Sequence, residues 1–266
     1  MPELPEVQTI VDGLNSKIVN KTISAIIEKK MGTIIWKENL NICEFGKILN
    51  VSRRGKFIII ETSKKLKIII HLRMTGKLIY EEDISKTSSH SRTEFIFSDN
   101  TKMIFDCVRT FGKIWILRKD YRFAPIEKLG VEPLDKLFND PYLKKQIQHK
   151  KIPIKKLILE QQIIAGLGNI YACEILFRAK IHPEKLGIEV TNKETELLVK
   201  ETKSVLIQAL EKNGTTISDY RNVDNKTGEF QNFLKVYQKE FCECGNKISR
   251  IKQSGRSTFF CGKCQK

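Results

Sequence analysis

The chain opens with apolar residues at helical spacing. The gaps between them follow the 3.6-residue turn of an α-helix, so they form one stripe. The stripe consists of Val7, Ile10, Val11, Leu14 and Ile18. Pro5 suits a first helical turn, and Glu3 and Glu6 suit the positive end of the helix dipole. We predict an amphipathic helix whose periodicity begins at Val7, with Pro2 and Glu3 facing outward. A capped surface helix is the simpler alternative.

The pattern changes to short β-rich runs between about residue 20 and about residue 118. The runs include KFIIIETSKKLKIIIHLRMTGKLIY and TEFIFSDNTKMIFDCVRTFGKIWIL, which are broken by Ser/Lys and Asp/Asn turns. This spacing predicts a β-sandwich or a barrel.

Helical stretches replace the strands after about residue 136. They are KLFNDPYLKKQIQH, IPIKKLILEQQII, NIYACEILFRAK and NKETELLVKETKSVLIQALEKNG, and we expect Gly214 to cap the last of them. Strands followed by helices indicate an α+β protein with two main parts, joined near residues 119–135. With the C-terminal segment set apart, the predicted domains are 1–125, 126–234 and 235–266.

Charge narrows the class of partner. The 266 residues include 47 Lys and Arg against 31 Asp and Glu, which gives a net charge of +16. This excess favours a polyanion such as nucleic acid, or an anionic membrane surface; a solvated lysine-rich surface is the alternative. No segment approaches the roughly 20 apolar residues of a membrane span, and the acidic start does not resemble a signal peptide. We therefore expect a soluble, cytoplasmic protein.

Four of the seven cysteines are crowded at the C-terminus. Cys242 and Cys244 are followed after 16 residues by Cys261 and Cys264, with strand-like segments between the pairs. In a reducing compartment such clustering favours a metal over disulfides. Four thiolates around a β-hairpin suit one tetrahedral zinc, although the single residue between Cys242 and Cys244 is shorter than usual. The segment from Lys235 onward is basic, and we expect Arg256 near the hairpin tip.

The segment AGLGN separates two helical patterns. Gly166 and Gly168 permit a tight turn, and Asn169 suits an N-cap, so the following N–H groups form an anion-binding helix start. Lys155 can add a cation to the same face. The arrangement indicates a phosphate clamp, and an ordinary helical hairpin is the alternative.

The first residues, MPELPE, raise the question of a nucleophile. Methionine is commonly trimmed before a small residue, which would leave Pro2 with a free secondary amine. Two further features are ambiguous. Lys56 enters a strand after a glycine turn, where a lysine is usually solvated, and residues 215–227 form a polar loop of the kind that often serves as a lid.

Together, these motifs resemble the bacterial formamidopyrimidine-DNA glycosylases, the 8-oxoguanine DNA glycosylase/AP lyases of the helix-two-turn-helix family. The matching segments run in family order along nearly the whole chain. They are MPELPEV, GKF, HLRMTGKL, VRTFG, LEQQIIAGLGNIYACEILFRAKIHP, GTTISDY and RSTFFCGKCQK. The resemblance implies an N-terminal β-sandwich with an opening helix, a C-terminal helical domain and a β-hairpin zinc finger.

The resemblance implies base-excision repair of oxidised purines through an N-terminal proline. Pro2 would be the nucleophile, Glu3 the catalytic acid and Glu6 a supporting carboxylate. Lys56 would contact the phosphate beside the lesion. A terminal amine suits this chemistry, since its pKa of about 8 leaves more neutral form near pH 7 than the lysine value of about 10.4.

The implied partner is damaged double-stranded DNA, bound by a monomer associated with the nucleoid. Base flipping leaves a gap in the duplex. The family's gap-filling residues correspond to Met74, Arg109 and Phe111, although Met74 and Phe111 read alone suit a core. The family's phosphate clamp corresponds to Lys155, Asn169, Tyr237 and Arg256, and its lid to residues 215–227. His71 matches a histidine near the DNA. One structural zinc ion is implied at the four cysteines.

Three positions depart from the family pattern. Cys107 stands where an aspartate usually precedes the wedge arginine, and Asp106 beside it is a candidate substitute. Cys173 replaces an aspartate before Glu174, and Phe241 replaces the first cysteine of the usual C-x2-C knuckle.

Two alternatives remain open. An endonuclease VIII-like enzyme for oxidised pyrimidines would share Pro2, Glu3 and Lys56, but Leu4 and the VRTFG segment favour the purine enzyme. A non-catalytic zinc-containing DNA-binding protein is the second alternative. It would be indicated by loss of Pro2 or Glu3, and both are present.

Overall fold

The computed structural model describes residues 1–37, 44–217, 221–223 and 226–266. These residues form two compact units, Met1–Ile126 with Asn213–Glu229, and Glu127–Lys212 with Phe230–Lys266. The division at 1–125, 126–234 and 235–266 stays a prediction.

The first unit opens with helix α1 (Leu4–Ile18). The predicted stripe is confirmed, because Val7 through Ile18 at that spacing are all buried in the core of this unit. The helix begins three residues earlier than its periodicity, because Glu3 and Glu6 form a capping box at its start. The prediction that Pro2 and Glu3 face outward is wrong, since both are buried.

A large, mostly antiparallel sheet follows α1. Its strands are β1 (Thr22–Glu28), β2 (Ile34–Trp36), β3 (Gly46–Arg54), β4 (Phe57–Thr62), β5 (Leu66–His71), β6 (Gly76–Glu81), β7 (Ser91–Phe97), β8 (Lys102–Cys107) and β9 (Lys113–Arg118). Their order is β2-β9-β5-β4-β3-β1-β7-β8-β6, and only β2 and β9 pair in parallel among the described strands. Strand β3 joins two halves, since it pairs with β4 on one side and β1 on the other.

The two halves of the sheet share one hydrophobic core. Ile58 and Ile68 from one half lie in the same cluster as Phe95 and Phe105 from the other, together with the buried stripe of α1. Apolar residues from both halves that pack together make this a folded-over sheet, which confirms the predicted sandwich with its opening helix.

The second unit is helical. Its elements are α3 (Asp140–Ile147), α4 (Ile154–Ile158), α5 (Asn169–Arg178) and α6 (Asn192–Glu211), with α2 (Ala124–Glu127) at the junction of the units along the chain and short 3₁₀ turns at Gly187–Glu189 and Phe230–Phe233. Helix α4 is much shorter than its apolar run, which continues as turns up to Gly168. None of the helices in the described part of the chain has the length and apolar character that a bilayer crossing requires.

Helix α6 does not end as predicted. Its last residue is Glu211, and Asn213 adopts a φ of 56° directly after the C-cap Lys212. Asn213 therefore takes the left-handed position that was assigned to Gly214.

The C-terminal hairpin consists of β10 (Ser249–Gln253) and β11 (Arg256–Phe260). Ser254 and Gly255 form its turn, both with positive φ, so Arg256 lies beside the tip as expected. A small core supports the hairpin, made of Cys173, Val236, Cys242, Ile248 and Cys261.

Candidate active site and nucleic-acid interface

Glu6 ties the start of the chain to a distant segment of the first unit. Its Oε2 accepts the backbone N–H of Glu3 at 2.8 Å, and its Oε1 accepts the backbone N–H of Thr215 at 2.7 Å. All three residues are buried. Two N–H groups on one carboxylate are charge-assisted hydrogen bonds, so Glu6 holds Glu3 and the adjoining Pro2 in a fixed position.

Gly214 makes this contact possible. Its φ is +81°, and a Cβ at this position would lie 2.7 Å from Glu6 Oε1. Any side chain here would push the carboxylate away from the Thr215 N–H. Gly214 thus serves the Glu6 contact and not the end of α6.

Met1 controls the chemistry of Pro2. In the chain with Met1, which is 47% exposed, the Pro2 nitrogen is an amide nitrogen and has no nucleophilic lone pair. Removal of Met1 would convert that nitrogen into a secondary amine beside the buried carboxyl group of Glu3.

Lys56 directly precedes β4, the strand of the first unit that pairs with β5. Lys56 follows Gly55, whose φ is 56°, and is only 6% exposed, so the solvated alternative is wrong. His71 ends β5 and is paired in register with Phe57, whose ring it meets edge-on at 4.8 Å.

His71 is neutral at physiological pH. Burial, reinforced by the positive charges of Arg73 and Lys56, lowers its pKa from 6.5 to about 3. Its Nδ1 accepts the backbone N–H of Arg73 at 3.0 Å, which places the proton of the neutral ring on Nε2. The side chain can therefore donate one hydrogen bond to an acceptor such as a phosphate oxygen without bringing a charge.

The lowered pKa of His71 predicts acid sensitivity of the fold. The unfolded chain binds a proton near pH 6.5 and the native site only near pH 3, so stability present above pH 6.5 is lost as the pH falls through this window. The loss is at most about 1.4 kcal/mol per pH unit. We expect the free energy of unfolding in urea to fall less between pH 7 and pH 5 for His71→Gln than for the wild type. His149→Gln, which alters an exposed histidine, should keep the wild-type dependence. Equal dependence in all three proteins would contradict the assignment.

The three predicted gap-filling residues occupy two loops of the first unit. Met74 and Phe111 are 44% and 58% exposed, so the alternative that they belong to the core is wrong. Arg109 lies against Met74, with its Nη1 3.8 Å from the sulfur. Exposed apolar side chains beside an arginine suit insertion into a base stack.

Thr75 connects these two loops. Its Oγ1 accepts the backbone N–H of Arg109 at 3.0 Å and lies 3.7 Å from the sulfur of Cys107. Asp106 does not replace the missing aspartate, because its carboxylate accepts a hydrogen bond from Ser88. Cys107 and Thr75 therefore support the backbone of Arg109 in this chain.

The predicted phosphate clamp of the second unit centres on Lys155. This lysine is 1% exposed, and its Nζ donates to Asn169 Oδ1 at 2.7 Å and to Thr258 Oγ1 at 2.6 Å. Asn169 Nδ2 in turn donates to the carbonyl of Ser257 at 2.9 Å. Asn169 is not the N-cap of α5, which is Gly168. Its side chain instead joins the helix start to the hairpin.

Arg256 and Tyr237 lie on two sides of this hairpin. Arg256 is exposed and lines a cavity of 210 Å³ together with Lys155, Lys156 and Gln253. Tyr237 packs edge-on against Phe259, with ring centroids 5.0 Å apart.

Glu174 is an organising residue that the sequence patterns did not identify. It is fully buried in α5, and its carboxylate accepts the backbone N–H groups of Lys235, Val236 and Tyr237 at 2.8–3.0 Å. The sequence signal was a single acid within the apolar run IYACEIL. Its neighbour Cys173 is buried in the small core beneath the hairpin, where an aspartate would need a partner.

The four C-terminal cysteines converge. Their sulfurs all lie within 4.8 Å of one another, with 3.9 Å between Cys242 and Cys264 and 3.6 Å between Cys244 and Cys261. Tetrahedral zinc with Zn–S bonds of about 2.3 Å requires sulfur separations of about 3.8 Å. The short first knuckle is accommodated by a turn at Gly245, whose φ is 80°. These residues fit one structural zinc ion.

Comparison with known proteins identifies the family. The formamidopyrimidine-DNA glycosylase N-terminal domain matches residues 1–114, the H2TH domain of these glycosylases matches residues 129–221, and a zinc finger found in FPG and IleRS matches residues 240–266. The chain belongs to the formamidopyrimidine-DNA glycosylase family.

Individual members of the family match over their full length. The formamidopyrimidine-DNA glycosylase of Wolbachia pipientis subsp. Culex pipiens is 41% identical over 270 residues, which cover 100% of both chains. That of Rickettsia conorii is 39% identical, covering 100% of this chain and 99% of the relative. The MutM (FPG) protein of Thermus thermophilus superposes with a TM-score of 0.90 at 34% identity, covering 99% of this chain and 98% of that one. A Lactococcus lactis FPG mutant in complex with a Fapy-dG containing DNA has a TM-score of 0.91 at 34% identity and covers 100% of both chains.

Two groups of the predicted site residues form compact clusters in this member of the formamidopyrimidine-DNA glycosylase family. Pro2, Glu3 and Glu6 meet at the start of α1, and Lys155, Asn169 and the hairpin meet at the start of α5. Part of the predicted lid, residues 218–220 and 224–225, lies outside the described residues. Of the rest, Thr215 binds Glu6 and Val223 is buried in the core of the first unit.

Proposed function

We propose that this protein is a base-excision-repair DNA glycosylase for oxidised purines, with abasic-site lyase activity, in which Pro2 is the nucleophile. The observation that carries the proposal is the buried Pro2–Glu3 pair, held by the carboxylate of Glu6. The names of the full-length relatives support the same activity.

The first step is displacement of the base. After Met1 is removed, the lone pair of the Pro2 nitrogen forms a bond to the sugar C1′. The C1′–N9 bond breaks and its electron pair leaves with the base, which takes up the proton that the Pro2 nitrogen loses, so this nitrogen regains a lone pair. Glu3, in its protonated form, donates a proton to the ring oxygen as the C1′–O4′ bond breaks, and the nitrogen lone pair completes a C1′=N⁺ iminium.

The lyase steps follow from that iminium. Its positive charge acidifies the C2′ protons, and the carboxylate of Glu3, now deprotonated, removes one of them. The electron pair of the C2′–H bond forms a C2′=C3′ double bond as the C3′–O bond breaks and the 3′ phosphate leaves. Loss of a C4′ proton to a general base then drives a second elimination, in which the C5′–O bond breaks and the 5′ phosphate leaves. Glu6 holds Glu3 in place throughout through its backbone N–H.

The remaining residues bind damaged double-stranded DNA. Lys56 supplies a charge and His71 a neutral donor to the phosphates near the lesion, while Met74, Arg109 and Phe111 fill the gap left by the flipped base. Lys155, Asn169, Tyr237 and Arg256 hold the DNA backbone. Lys155 is deeply buried, so it acts mainly by positioning Asn169 and the hairpin. The complete set comes from one chain, which supports a monomer; its proposed substrate is the bacterial chromosome in the cytoplasm.

Borohydride trapping tests the proposal. Reduction of the iminium should join the processed protein covalently to a duplex that contains 8-oxoguanine opposite cytosine. Failure to trap with a free Pro2 would refute the enzyme and favour a non-catalytic DNA-binding protein. Stronger trapping on duplexes with dihydrouracil or thymine glycol would instead assign the protein to the endonuclease VIII-like branch.

A further inference from the structure

The two faces of the β10–β11 hairpin have different surroundings. Thr258 lies on one face and contacts Lys155 and Gln253, so this face belongs to the clamp already described. Side chains alternate between faces along a strand, and directly opposed residues share a face. The opposite face therefore carries the pairs Arg250 with Phe259 and Lys252 with Ser257.

Arg250 contacts two residues on this second face. Its Nε and Nη2 both donate to Ser257 Oγ, at 3.1 Å and 2.9 Å, and its guanidinium carbon lies 5.7 Å from the centroid of Phe259. Arginine has five N–H donors, and these contacts engage two groups on one edge. The guanidinium lies over the Phe259 ring and is tied to Ser257 along one edge, so its remaining N–H donors can meet an anion.

A cleft borders this guanidinium. It has a volume of 320 Å³ and is lined by Tyr237, Gln238, Lys239, Glu240, Arg250, Ser257 and Phe259. Phe259 contacts both Arg250 and Tyr237, and all three line the cleft. Lys239 adds a second cation, and Glu240, an exposed side chain, is the one acid among the described residues of the lining.

We infer that this cleft binds a further backbone phosphate of the DNA, recognised by Arg250 with Lys239 beside it. The inference rests on the proposed function, because Tyr237 would line both the proposed phosphate clamp and this second phosphate site. A planar guanidinium that lies over a ring and is supported along one edge suits phosphate oxygens better than a mobile lysine does. The site extends the length of duplex that the hairpin contacts.

The experiment measures the affinity for a duplex that contains a stable tetrahydrofuran abasic analogue, over a range of salt concentrations. Arg250→Gln should weaken binding about five- to tenfold at low salt. It should also make the slope of log K against log [salt] shallower by about 0.9, the loss of one phosphate contact. Arg250→Lys should keep most of the slope but bind more weakly, because it loses the fixed plane. Lys200→Gln removes one charge from an exposed position on α6 and should change neither quantity.

Single methylphosphonate substitutions along the duplex then locate the contact. One position should weaken binding of the wild type and have no effect on Arg250→Gln. The inference would be overturned if Arg250→Gln kept the wild-type affinity and salt slope, or if both proteins were sensitive to the same substitutions. It would also be overturned if Arg250→Gln weakened binding to duplex RNA but not to duplex DNA. Borohydride trapping of Lys200→Gln should match the wild type. A defect in trapping of the wild type itself would count against the proposed function and not against this cleft.

Discussion

A Pro2→Gly protein is expected to lose borohydride trapping and strand cleavage by on the order of 100-fold, with little change in affinity for abasic-analogue DNA. The Pro2 ring is buried beside Glu3, so its nitrogen has a fixed direction. Glycine keeps a terminal amine but frees the backbone that aims it, and a small misplacement of a reacting atom has an effect of this size. The primary amine also yields an imine that must be protonated, whereas the secondary amine yields a permanently charged iminium.

Two controls accompany the Pro2 variant. Pro141→Gly makes the same exchange at an exposed position in the first turn of α3 and should trap normally. Wild-type protein that retains Met1 should bind DNA and fail to trap, since its Pro2 nitrogen is an amide. Undiminished trapping by Pro2→Gly, or by the chain that keeps Met1, would assign the nucleophile to another group.

Removal of zinc is expected to weaken DNA binding at least tenfold. The core under the hairpin contains only Cys173, Val236, Cys242, Ile248 and Cys261 as buried members among the described residues, so two of these five are themselves metal ligands. Structural zinc in small domains supplies most of their folding free energy. Elemental analysis should find one zinc per chain, and a strong chelator or Cys261→Ser should remove the metal and disorder the hairpin.

The control for the zinc experiment is a cysteine outside the cluster. Cys107→Ser changes a buried thiol of the first unit and should keep one zinc per chain. Borohydride trapping by the zinc-free protein at saturating concentration separates the roles of the two units. The proposed chemistry is carried by Pro2 and Glu3 of the first unit, so loss of zinc should affect DNA binding and not the trapping step. A zinc-free protein that binds DNA with wild-type affinity would show that the metal does not hold the hairpin.

Local periodicity predicted the elements better than their ends. The predicted stripe from Val7 to Ile18 was correct because its residues pack on one core. The helix itself begins at Leu4, because the capping box of Glu3 and Glu6 sets its first residue. The run IPIKKLILEQQII suggested one long helix, and the chain instead turns after Ile158 while keeping its apolar residues buried. Apolar content alone does not distinguish a buried helix from a buried turn.

Contacts between distant residues were beyond local patterns. Glu6 was assigned a supporting role, but the sequence did not indicate its partner Thr215, which lies 209 residues away. Gly214 was expected to cap the end of α6 and instead makes room for this contact. Lys56 and Met74 read in isolation gave the wrong burial, and only the family resemblance indicated their roles. The order of the strands and the surroundings of Arg250 likewise depend on pairing that no short window contains.

The carboxylate of Glu174 limits how this chain can vary in length. It accepts three successive N–H groups, from Lys235 to Tyr237, immediately before the cysteine cluster begins at Cys242. An insertion or deletion of one residue just before Lys235 would place the wrong residues on that carboxylate, displacing Tyr237 and the first knuckle together. The hairpin turn at Ser254 and Gly255, which has no such anchor among the described contacts, is the place where this part of the chain can accept residues without losing its metal site.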